Sequence, residues 1–353
     1  MVDVRTPVMA VRADEVVAAG LAAGLDAVGV APAGPFESTR AVLARRREQG
    51  LHGGMAFTYR NPERSTDPSR AVEGARSLVV GALGYRRPSP PAPDRAAGRV
   101  AAYARSDLYA RLRSALSQVA DLLHGAGHRA VVAADDNALV DREAARRAGL
   151  GWYGKNSNIL LPGRGSWFVL GSVITTAALE GSTPVPDGCG PCRRCLDGCP
   201  TGAIVAPGVV DARRCLAWLV QAEGDFPLEF REALGDRVYG CDDCQEVCPP
   251  NRRADSDGAG GEFDDEDAWV DLIELLESAD AELMARYGRW YIPRRAPRYL
   301  RRNALVALGN SGRGADPEVV DLVNRYRTDP DPMLVRHAEW AAARLGASAA
   351  APA

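Results

Sequence analysis

Short apolar segments alternate with amphipathic ones over roughly the first half of the chain. The apolar segments have the length of buried strands, and the segments between them repeat apolar residues with the period of a helix. The predicted strands cover residues 26–31, 77–85, 129–134 and 166–176, and the predicted helices cover 13–24, 37–49, 107–124 and 138–148. Strands that alternate with helices in this way predict an N-terminal α/β domain over residues 1–182.

The pattern changes twice in the second half of the chain. Residues 183–251 contain all the cysteines and form a second predicted domain, which a polar, glycine-rich and acidic linker at 252–267 follows. Residues 268–353 have helical periodicity only, with predicted helices at 268–278, 280–287, 298–309, 316–327 and 332–345. Antiparallel helix pairs of this length resemble HEAT-type repeats. The overall prediction is a multidomain α+β protein.

The composition is that of an ordinary globular protein, with 46% hydrophobic and 25% charged residues. The net charge of −3 gives no overall basic field, so a nucleic-acid partner would have to bind a local basic surface. No run of about 18 apolar residues could span a bilayer, and the N-terminus lacks the pattern of a signal peptide. We therefore predict no membrane partner and a cytoplasmic location, where thiols stay reduced.

The eight cysteines all lie between positions 189 and 248. The first four have the spacing C-x2-C-x2-C-x3-C before Pro200, and a later C-x2-C-x3-C group precedes Pro249. This is the pattern of bacterial ferredoxins with two [4Fe-4S] clusters, in which the fourth cysteine binds the other cluster. The pattern predicts a ferredoxin-like domain whose two ligand sets are Cys189, Cys192, Cys195 and Cys248, and Cys199, Cys215, Cys241 and Cys244.

Two other uses of these cysteines are weaker alternatives. Two C-x-x-C pairs could form a four-thiolate zinc site, and an even number of cysteines could form disulfides. Zinc does not require a third cysteine at the same short spacing or a proline after each group. Disulfide frameworks are typical of short secreted chains. The pattern therefore favours two iron–sulfur clusters.

The segment 149–154 (GLGWYG) matches G-x-G-x-x-G but does not predict dinucleotide binding. A dinucleotide fingerprint follows a strand and opens a helix, whereas these glycines follow a predicted helix. Trp152 and Tyr153 also stand where backbone would have to approach the pyrophosphate. We therefore reject NAD binding at this motif.

The triplet Asp135, Asp136 and Asn137 directly follows a predicted strand. The carboxyl ends of strands are where α/β domains place their chemistry. Adjacent carboxylates are equally typical of a solvated turn, with Asp136 or Asn137 as a helix N-cap. The pattern alone leaves both interpretations open.

Seven arginines lie between positions 286 and 302, together with Tyr287, Trp290, Tyr291 and Tyr299. Guanidinium groups bind phosphates and aromatic rings stack on unpaired bases, so this composition favours a nucleic-acid surface. HEAT-like repeats would offer an extended concave face for it. The alternative is a solvated helix face paired with the acidic run 262–267.

Several segments together resemble the epoxyqueuosine reductase family, whose members use iron–sulfur clusters and cobalamin in the last step of queuosine biosynthesis in tRNA. The matching segments occur in the family's order over about three quarters of the chain, with the cysteine spacing intact. They are 52–55 (HGGM), 142–152 (REAARRAGLGW), 154–157 (GKNS), 165–168 (GSWF), 210–215 (VDARRC), 239–245 (YGCDDCQ) and 302–310 (RNALVALGN).

The resemblance implies an N-terminal cobalamin-binding domain, a ferredoxin-like domain and a C-terminal HEAT-like domain for tRNA. Cobalamin would bind base-off and without a histidine ligand, since the chain has no D-x-H-x-x-G motif. The implied reaction reduces epoxyqueuosine to queuosine at the wobble position, through Co(I) cobalamin that the two clusters reduce. The implied partners are a tRNA anticodon stem-loop and a low-potential electron donor, and we expect a monomer.

The resemblance also implies roles for single residues. The family motif D-x-x-P-x-x-E-R corresponds to 135–142 (DDNALVDR), which makes Asp135 the proton donor and replaces proline by Ala138 and glutamate by Asp141. The implied cobalamin contacts are Asp135, Arg60, Ile159 and Leu170, and the predicted tRNA contacts are Arg298, Arg301 and Arg302. Further departures are 216–218 (LAW) for Ile-Ser-Tyr, which would remove a hydroxyl contact, and Pro250 for a tryptophan.

Two other functions remain as alternatives. One is a different corrinoid iron–sulfur reductase, such as a reductive dehalogenase, which would have no use for the arginine-rich helical segment. The other is a non-catalytic ferredoxin-type electron carrier, which would not need a large N-terminal domain with a buried acid.

Overall fold

The computed structural model describes residues 9–86, 90–256 and 268–346. The helices are α1 (Ala13–Ala22), α2 (Glu37–Glu48), α3 (Pro62–Ser65), α4 (Leu108–Gly125), α5 (Asp141–Arg147), α6 (Arg194–Asp197), α7 (Leu216–Leu219), α8 (Arg231–Leu234), α9 (Asp243–Glu246), α10 (Pro249–Ser256), α11 (Leu272–Glu277), α12 (Asp280–Tyr287), α13 (Arg298–Gly309), α14 (Pro317–Tyr326) and α15 (Pro332–Leu345). The strands are β1 (Ala27–Pro32), β2 (Ser77–Gly84), β3 (Ala97–Val100), β4 (Ala130–Ala133), β5 (Trp152–Tyr153), β6 (Ile159–Leu160), β7 (Phe168–Thr175), β8 (Ile204–Ala206), β9 (Val209–Val210), β10 (Arg237–Tyr239) and β11 (Trp269–Asp271).

The four strands predicted in the first half form one sheet in the order β1-β2-β7-β4. All three pairings are antiparallel, with Val79 of β2 opposite Val30 on one side and Val173 on the other. The α/β class, which has a mainly parallel sheet, is therefore corrected to an α+β arrangement. Alternation of strands and helices shows where the elements lie, but it does not fix the direction in which the strands pair.

Both faces of this sheet are covered by helices. Val79 and Val173 pack in a core with α1 and α4, whereas Leu78, Val80 and Ile174 pack against α5 on the opposite face. Coverage of both faces explains why β2 is an almost continuous apolar run and lacks the alternation of a half-exposed strand. The loop after β4, which contains Asp135, continues directly into α5.

A second sheet connects distant parts of the chain. Its order is β10-β3-β11, so it joins strands from three of the predicted segments. The predicted helix 268–278 is corrected here, because its first residues form β11 and α11 begins only at Leu272. Asp271 sets this boundary, since its carboxylate accepts hydrogen bonds from the N–H groups of Ile273 and Glu274.

The C-terminal helices share a core with this sheet. Residues such as Leu305 and Leu308 of α13 pack with Val100 of β3 and Val238 of β10. Helix α13 is buried at nearly every position, between α15, α11 and β10. The HEAT-like arrangement and the boundaries at 182, 251 and 267 stay predictions, and residues 257–267 of the predicted linker lie outside the described residues. In the described part of the chain, no helix is long and apolar enough to cross a membrane.

Candidate iron–sulfur and catalytic site

The cysteines of each predicted set lie within electrostatic range of one another, and their assignment to two clusters stays a prediction. Cys248 is an electrostatic neighbour of Cys189, Cys192 and Cys195, although about 50 residues separate it from them. The remaining four are neighbours in the same way: Cys244 is influenced by Cys199, Cys215 and Cys241. A cubane spreads its four thiolates over the corners of a cluster, so each set can hold one without converging on a single point.

The two sets differ in depth. Cys189, Cys192 and Cys195 lie in a loop whose other residues are mostly exposed, whereas buried residues flank Cys215, Cys241 and Cys244. Burial is the main cause that raises the pKa of Cys244 well above its usual value and that of Cys241 to about 12. We name the two groups the outer set (Cys189, Cys192, Cys195, Cys248) and the inner set (Cys199, Cys215, Cys241, Cys244).

Polar contacts support the cysteine loops. The backbone N–H of Ala203 donates to the Cys199 sulfur over 3.2 Å, a contact that stabilises a thiolate. Lys155, the only lysine of the chain, donates to the carbonyls of Gly190 (2.7 Å) and Cys192 (2.8 Å). Asn156 Nδ2 donates to the Cys244 carbonyl over 3.3 Å. The 154–157 segment thus holds loops of both sets against the N-terminal sheet.

A buried amide network joins the inner set to the N-terminal sheet. Gln245 Nε2 donates to the hydroxyl oxygens of Tyr85 (3.2 Å) and Ser166 (3.1 Å). Asn251 accepts from the Ser166 N–H over 2.6 Å and donates to the Gln245 carbonyl over 2.8 Å. Gly165 has to be glycine here, because a Cβ would lie 2.0 Å from Asn251 Oδ1.

In the loop after β4, Asp135, Asp136 and Asn137 have different hydrogen-bond partners, a difference that the sequence pattern could not show. Asp136 Oδ1 accepts from the Ala138 N–H over 2.6 Å, and Asn137 Oδ1 accepts from the Thr58 N–H over 2.7 Å. Asp136 therefore stabilises the turn itself, and Asn137 connects the turn to the segment that contains Thr58. Asp135 has a left-handed backbone with φ of 54°, and its carboxylate makes no hydrogen bond with any described residue. Such strain in a non-glycine residue is typical of functional sites.

The surroundings of Asp135 favour its neutral form. Partial burial raises the pKa of Asp135, Asp136 raises it further, and Arg113 opposes the rise. Burial and the charges of Asp135 and Asp136 raise the pKa of Asp141 well above its usual range. Burial likewise raises the pKa of Tyr109, with Asp135 and Asp141 adding to the effect. Asp135, Asp141 and the Tyr109 phenol of α4 are thus within electrostatic range of one another, and Asp136 acts on both of the other carboxyl groups.

Arg142 is within electrostatic range of both this loop and the inner set. It is an electrostatic neighbour of Asp141, Tyr85 and Cys215, and its exposed guanidinium has no hydrogen-bond or ion-pair partner among the described residues. Arg60 is likewise exposed and without a side-chain partner in this part of the chain. Two unpaired guanidinium groups therefore remain available near the site.

Two of the four predicted cobalamin contacts pack in one apolar cluster. Ile159 is buried and Leu170 is half-buried, and both pack in the apolar cluster that also contains Ala138. The nearby 52–55 segment is fixed by Trp218, whose Nε1 donates to the Gly53 carbonyl over 2.8 Å. This contact involves one of the residues that depart from the family pattern. His52 in the same segment has a buried Nδ1 without a partner in the described structure.

The three arginines predicted to contact tRNA differ in exposure and in their hydrogen-bond partners. Arg298 is half-exposed and pairs with Asp331 over 3.0 Å, and Arg301 pairs with Asp280 over 2.5 Å. Arg302 is wholly buried, and its guanidinium donates to backbone carbonyls of 219–224. The prediction that Arg302 contacts tRNA is therefore corrected, because a side chain without exposed surface cannot reach a phosphate. The acidic run 262–267 lies outside the described residues.

Sequence reasoning missed Tyr109, Arg113 and Arg142 as residues near Asp135. Tyr109 and Arg113 are on the first turns of α4, and the chain gives no local signal that this helix end faces the loop after β4. Arg142 stands inside the matched motif, so its spacing from Asp135 was an available signal.

The glycine motif at 149–154, which was rejected as a dinucleotide site, connects α5 to β5. Gly151 is needed there for close packing, because a Cβ on it would lie 2.1 Å from the Leu160 carbonyl oxygen.

Comparison with known proteins agrees with this site. Residues 188–251 match the family described as a 4Fe-4S double cluster binding domain. Epoxyqueuosine reductase of Bacillus anthracis is 33% identical over 342 residues, which cover 94% of this chain and 88% of that protein. A crystal structure of epoxyqueuosine reductase with a tRNA-Tyr epoxyqueuosine-modified stem loop has a TM-score of 0.86 and 32% identity, and the match covers 94% of this chain and 90% of that one.

A second solved structure is similar over the same share of the chain. Epoxyqueuosine reductase from Bacillus subtilis, with its catalytic aspartate loop swung out of the active site, has a TM-score of 0.84 and 32% identity, and the match covers 94% of this chain and 90% of that one. Identity at this level over nearly the full length of both proteins establishes common descent and a common fold. The chain belongs to the epoxyqueuosine reductase family.

Proposed function

We propose that this protein reduces epoxyqueuosine to queuosine at the wobble position of tRNA. Its family membership favours this reaction over a different corrinoid reductase and over a ferredoxin-type carrier. The observation that carries the proposal is Asp135, whose carboxyl group has a raised pKa and no structural partner among the described residues. The loop that holds it is next to Arg142, a neighbour of the inner cysteine set.

The eight cysteines are the proposed ligands of two [4Fe-4S] clusters, one for each set. The outer set lies in an exposed loop, where a low-potential electron donor can approach it. The inner set lies closer to Asp135, because Arg142 is a neighbour of both Cys215 and Asp141. We therefore propose that the inner set is the one nearer the reacting centre.

The residues around Asp135 fit a cobalamin, which we propose binds base-off. Half-buried Leu170 offers an apolar surface to the macrocycle, with buried Ile159 in the same apolar cluster, and Arg60 and Arg142 offer unpaired donors to its amide side chains. The unpartnered Nδ1 of His52 is a further polar atom that a bound group would satisfy. When bound, cobalamin and the clusters supply electrons at low potential to the substrate. We keep the expectation that no histidine binds the cobalt.

Asp135 is the proposed proton donor of the reaction. Conversion of an epoxide to an alkene consumes two electrons and two protons and releases the oxygen as water. The Asp135 carboxylic acid donates a proton to the epoxide oxygen as its C–O bond breaks, so that no free alkoxide has to leave. Burial and the charge of Asp136 favour the neutral acid, and Arg113 limits the rise of its pKa. A positioned general acid typically contributes about 10²–10⁴-fold to a rate.

The proposed substrate is a tRNA anticodon stem-loop, and the proposed location is the cytoplasm. The wobble base must leave its stack to reach Asp135, as enzymes that act on bases require. Arg298 remains a candidate for a phosphate contact, since its exposed ion pair with Asp331 can be exchanged for a phosphate. Arg301 is a weaker candidate, because its side chain is only 14% exposed and also donates to the Ser278 carbonyl. We expect the protein to act as a monomer.

Two measurements test this function. Nucleosides from tRNA of a strain that lacks this protein should contain epoxyqueuosine in place of queuosine when analysed by mass spectrometry. Purified protein, loaded with iron and cobalamin and supplied with a low-potential reductant, should convert that tRNA to the queuosine form. Asp135→Asn is the matched control, which should retain both cofactors and lose turnover. Normal queuosine in the deletion strain would refute the proposal.

A further inference from the structure

The aromatic residues of the arginine-rich segment 286–302 differ sharply in exposure. Tyr287, Trp290 and Tyr299 are at most 8% exposed, whereas Tyr291 is 56% exposed. The buried rings belong to the core: Trp290 stacks on Tyr239 and Tyr287, with ring centroids 4.5 and 4.6 Å away. Only Tyr291 of these four can therefore offer a ring face to a ligand.

Tyr291 is exposed but firmly anchored. Its backbone N–H donates to the Tyr239 hydroxyl oxygen over 2.8 Å, and that hydroxyl donates to the Tyr291 carbonyl over 3.2 Å. The preceding Trp290 donates from Nε1 to the Ala104 carbonyl over 2.8 Å, and the following Ile292 is buried. An aromatic ring on a fixed backbone loses little entropy when a ligand stacks on it.

Two strained arginines follow this tyrosine. Arg294 has φ of 52° and ψ of 17°, and Arg295 has φ of 53°, a left-handed conformation that side chains other than glycine rarely adopt. Buried Pro293 precedes them and holds this sharp turn. The turn directs Arg294 towards the cysteine-containing part of the chain, where it pairs with Glu223 over 2.8 Å. Strain of this kind is kept where the direction of the side chains matters.

The loop lies close to Asp135. Tyr239, which holds Tyr291, is within electrostatic range of Asp135. Its ring is 6.4 Å from that of Tyr103, and Tyr103 is in turn a neighbour of Tyr109 beside Asp135. The backbone of Tyr291 is thus hydrogen-bonded to a tyrosine that is itself within electrostatic range of the proposed reacting centre.

We propose that Tyr291 is a stacking platform for an unpaired anticodon-loop base next to the reacting nucleotide, and that Arg294 and Arg295 bind its flanking phosphates. This inference rests on the proposed function, because it names the surface that receives the same tRNA. Proteins that hold single strands combine a ring for base stacking with cations for the backbone, and both occur here within five residues. The exposed Arg294–Glu223 pair contributes little to stability, so a phosphate can replace the carboxylate.

The test measures binding of a synthetic anticodon stem-loop RNA with unmodified guanosine at the wobble position. Fluorescence anisotropy would compare the anaerobically purified, cofactor-loaded protein with Tyr291→Ala, Tyr291→Leu and Tyr291→Phe. Loss of base stacking should weaken binding roughly 5- to 150-fold in Tyr291→Ala. Tyr291→Leu should be nearly as weak because it has no aromatic face, and Tyr291→Phe should bind like wild type. Leu21→Ala, which truncates an exposed apolar residue of α1, is the control and should change nothing.

The salt dependence of RNA binding distinguishes the contribution of the arginines from that of the tyrosine. Arg294→Gln and Arg295→Gln should each flatten the slope of log affinity against log salt by roughly 0.7, the value for one phosphate contact of a single strand. Tyr291→Ala should leave this slope unchanged, since it removes no charge. Iron content and visible absorbance of each variant confirm that it is folded. If Tyr291→Ala does not fold, Tyr291→Leu tests the stacking platform in its place.

The outcomes distinguish this inference from the proposed function. Wild-type affinity in Tyr291→Ala and Tyr291→Leu, with strong binding by wild type, would overturn the stacking platform and leave the proposed function standing. Failure of the wild-type protein to bind the RNA would count against both. Unchanged salt slopes in both arginine variants would remove the phosphate contacts.

Discussion

Replacement of Arg302 by methionine should destabilise the protein far more than the same change at Arg298, one helical turn earlier. Arg302 is fully buried in α13, and burial lowers the pKa of its guanidinium only to about 10, so it stays charged at neutral pH. Its donors reach four backbone carbonyls, which belong to Leu219, Val220, Ala222 and Gly224.

The expected loss of stability depends on how many of these four carbonyls would have no other hydrogen-bond donor in Arg302→Met. The Leu219 carbonyl also accepts from the Ala222 N–H, and the Val220 carbonyl also accepts from Asn303 Nδ2. Those of Ala222 and Gly224 have no second donor among the described residues. Net contributions of hydrogen bonds to a charged group are about 1.5–3 kcal/mol each, so Arg302→Met should lower the free energy of unfolding by about 3–6 kcal/mol.

Arg298 provides the matched control on the same helix. Its side chain is 45% exposed and pairs with Asp331, an exposed ion pair of the kind that contributes about 0–1 kcal/mol. The assay is anaerobic guanidinium unfolding followed by circular dichroism, with visible absorbance of the clusters recorded in parallel. Because the carbonyls follow α7, which begins directly after Cys215, Arg302→Met should also lose cluster absorbance earlier than Arg298→Met. Equal unfolding midpoints for the two variants would show that water replaces the guanidinium and would refute the reasoning.

Four further predictions concern the site and the core. Asp135→Asn should keep iron and cobalamin and lose about 10²–10⁴-fold in turnover; full activity in single-turnover assays would remove it as the proton donor. Because the charge of Arg113 lowers the pKa of Asp135, Arg113→Met should raise that pKa and move the alkaline fall of turnover to higher pH, whereas an unchanged pH profile would show that Arg113 does not act on the acid. Lys155→Met should leave the carbonyls of Gly190 and Cys192 without this donor and accelerate loss of iron to a chelator, and equal rates would contradict that role. Burial lowers the pKa of His337 to about 4, so the unfolded state binds more protons below about pH 6.5. Stability should therefore fall by about 3 kcal/mol as the pH is lowered from about 6.5 to 4, and His337→Gln should reduce this fall, as thermal unfolding across this range can show.

The double-cluster domain was predictable, and two ligand sets could be proposed, because iron–sulfur chemistry restricts the spacing of the ligands. Three thiolates on one short loop surround one face of a cubane, and the distant fourth must come from the other group. This rule paired Cys248 with Cys189 across the domain, and the structure places them as neighbours. No similar rule connects Lys155 to Gly190, because a lysine can donate to any carbonyl that the fold brings within reach.

The sheets show where periodicity stops being informative. The long strands β2 and β7 were evident as apolar runs, but their antiparallel pairing depends on how the chain returns between them. Strands β3, β10 and β11 have only three or four residues each, too few for an alternating pattern to be recognised. They are stabilised by the core that they share with α13, so their existence depends on contacts between residues more than 130 positions apart.

The prediction that Arg302 contacts tRNA was wrong because it rested on the residue type and did not use the position of the residue on the helix. It lies three residues after Tyr299 and four before Val306, both of them buried, so it falls on the inward face of α13. An arginine there has to be satisfied by hydrogen bonds, and the backbone carbonyls at 219–224 and the Asn303 Oδ1 accept them. The spacing was visible in the sequence, whereas the carbonyls that compensate the charge were not.

The choice of Asp135 over Asp136 illustrates what only the fold can supply. Both are aspartates after the same strand, and each could cap a turn or donate a proton. The turn uses Asp136, because its carboxylate accepts from the Ala138 N–H, a donor that the family's proline would lack. Asn137 is used by Thr58, from a segment almost 80 residues earlier. Asp135 is left with a strained backbone and an unpaired carboxyl group, and a group without a structural partner in the described chain is the one free to meet a substrate.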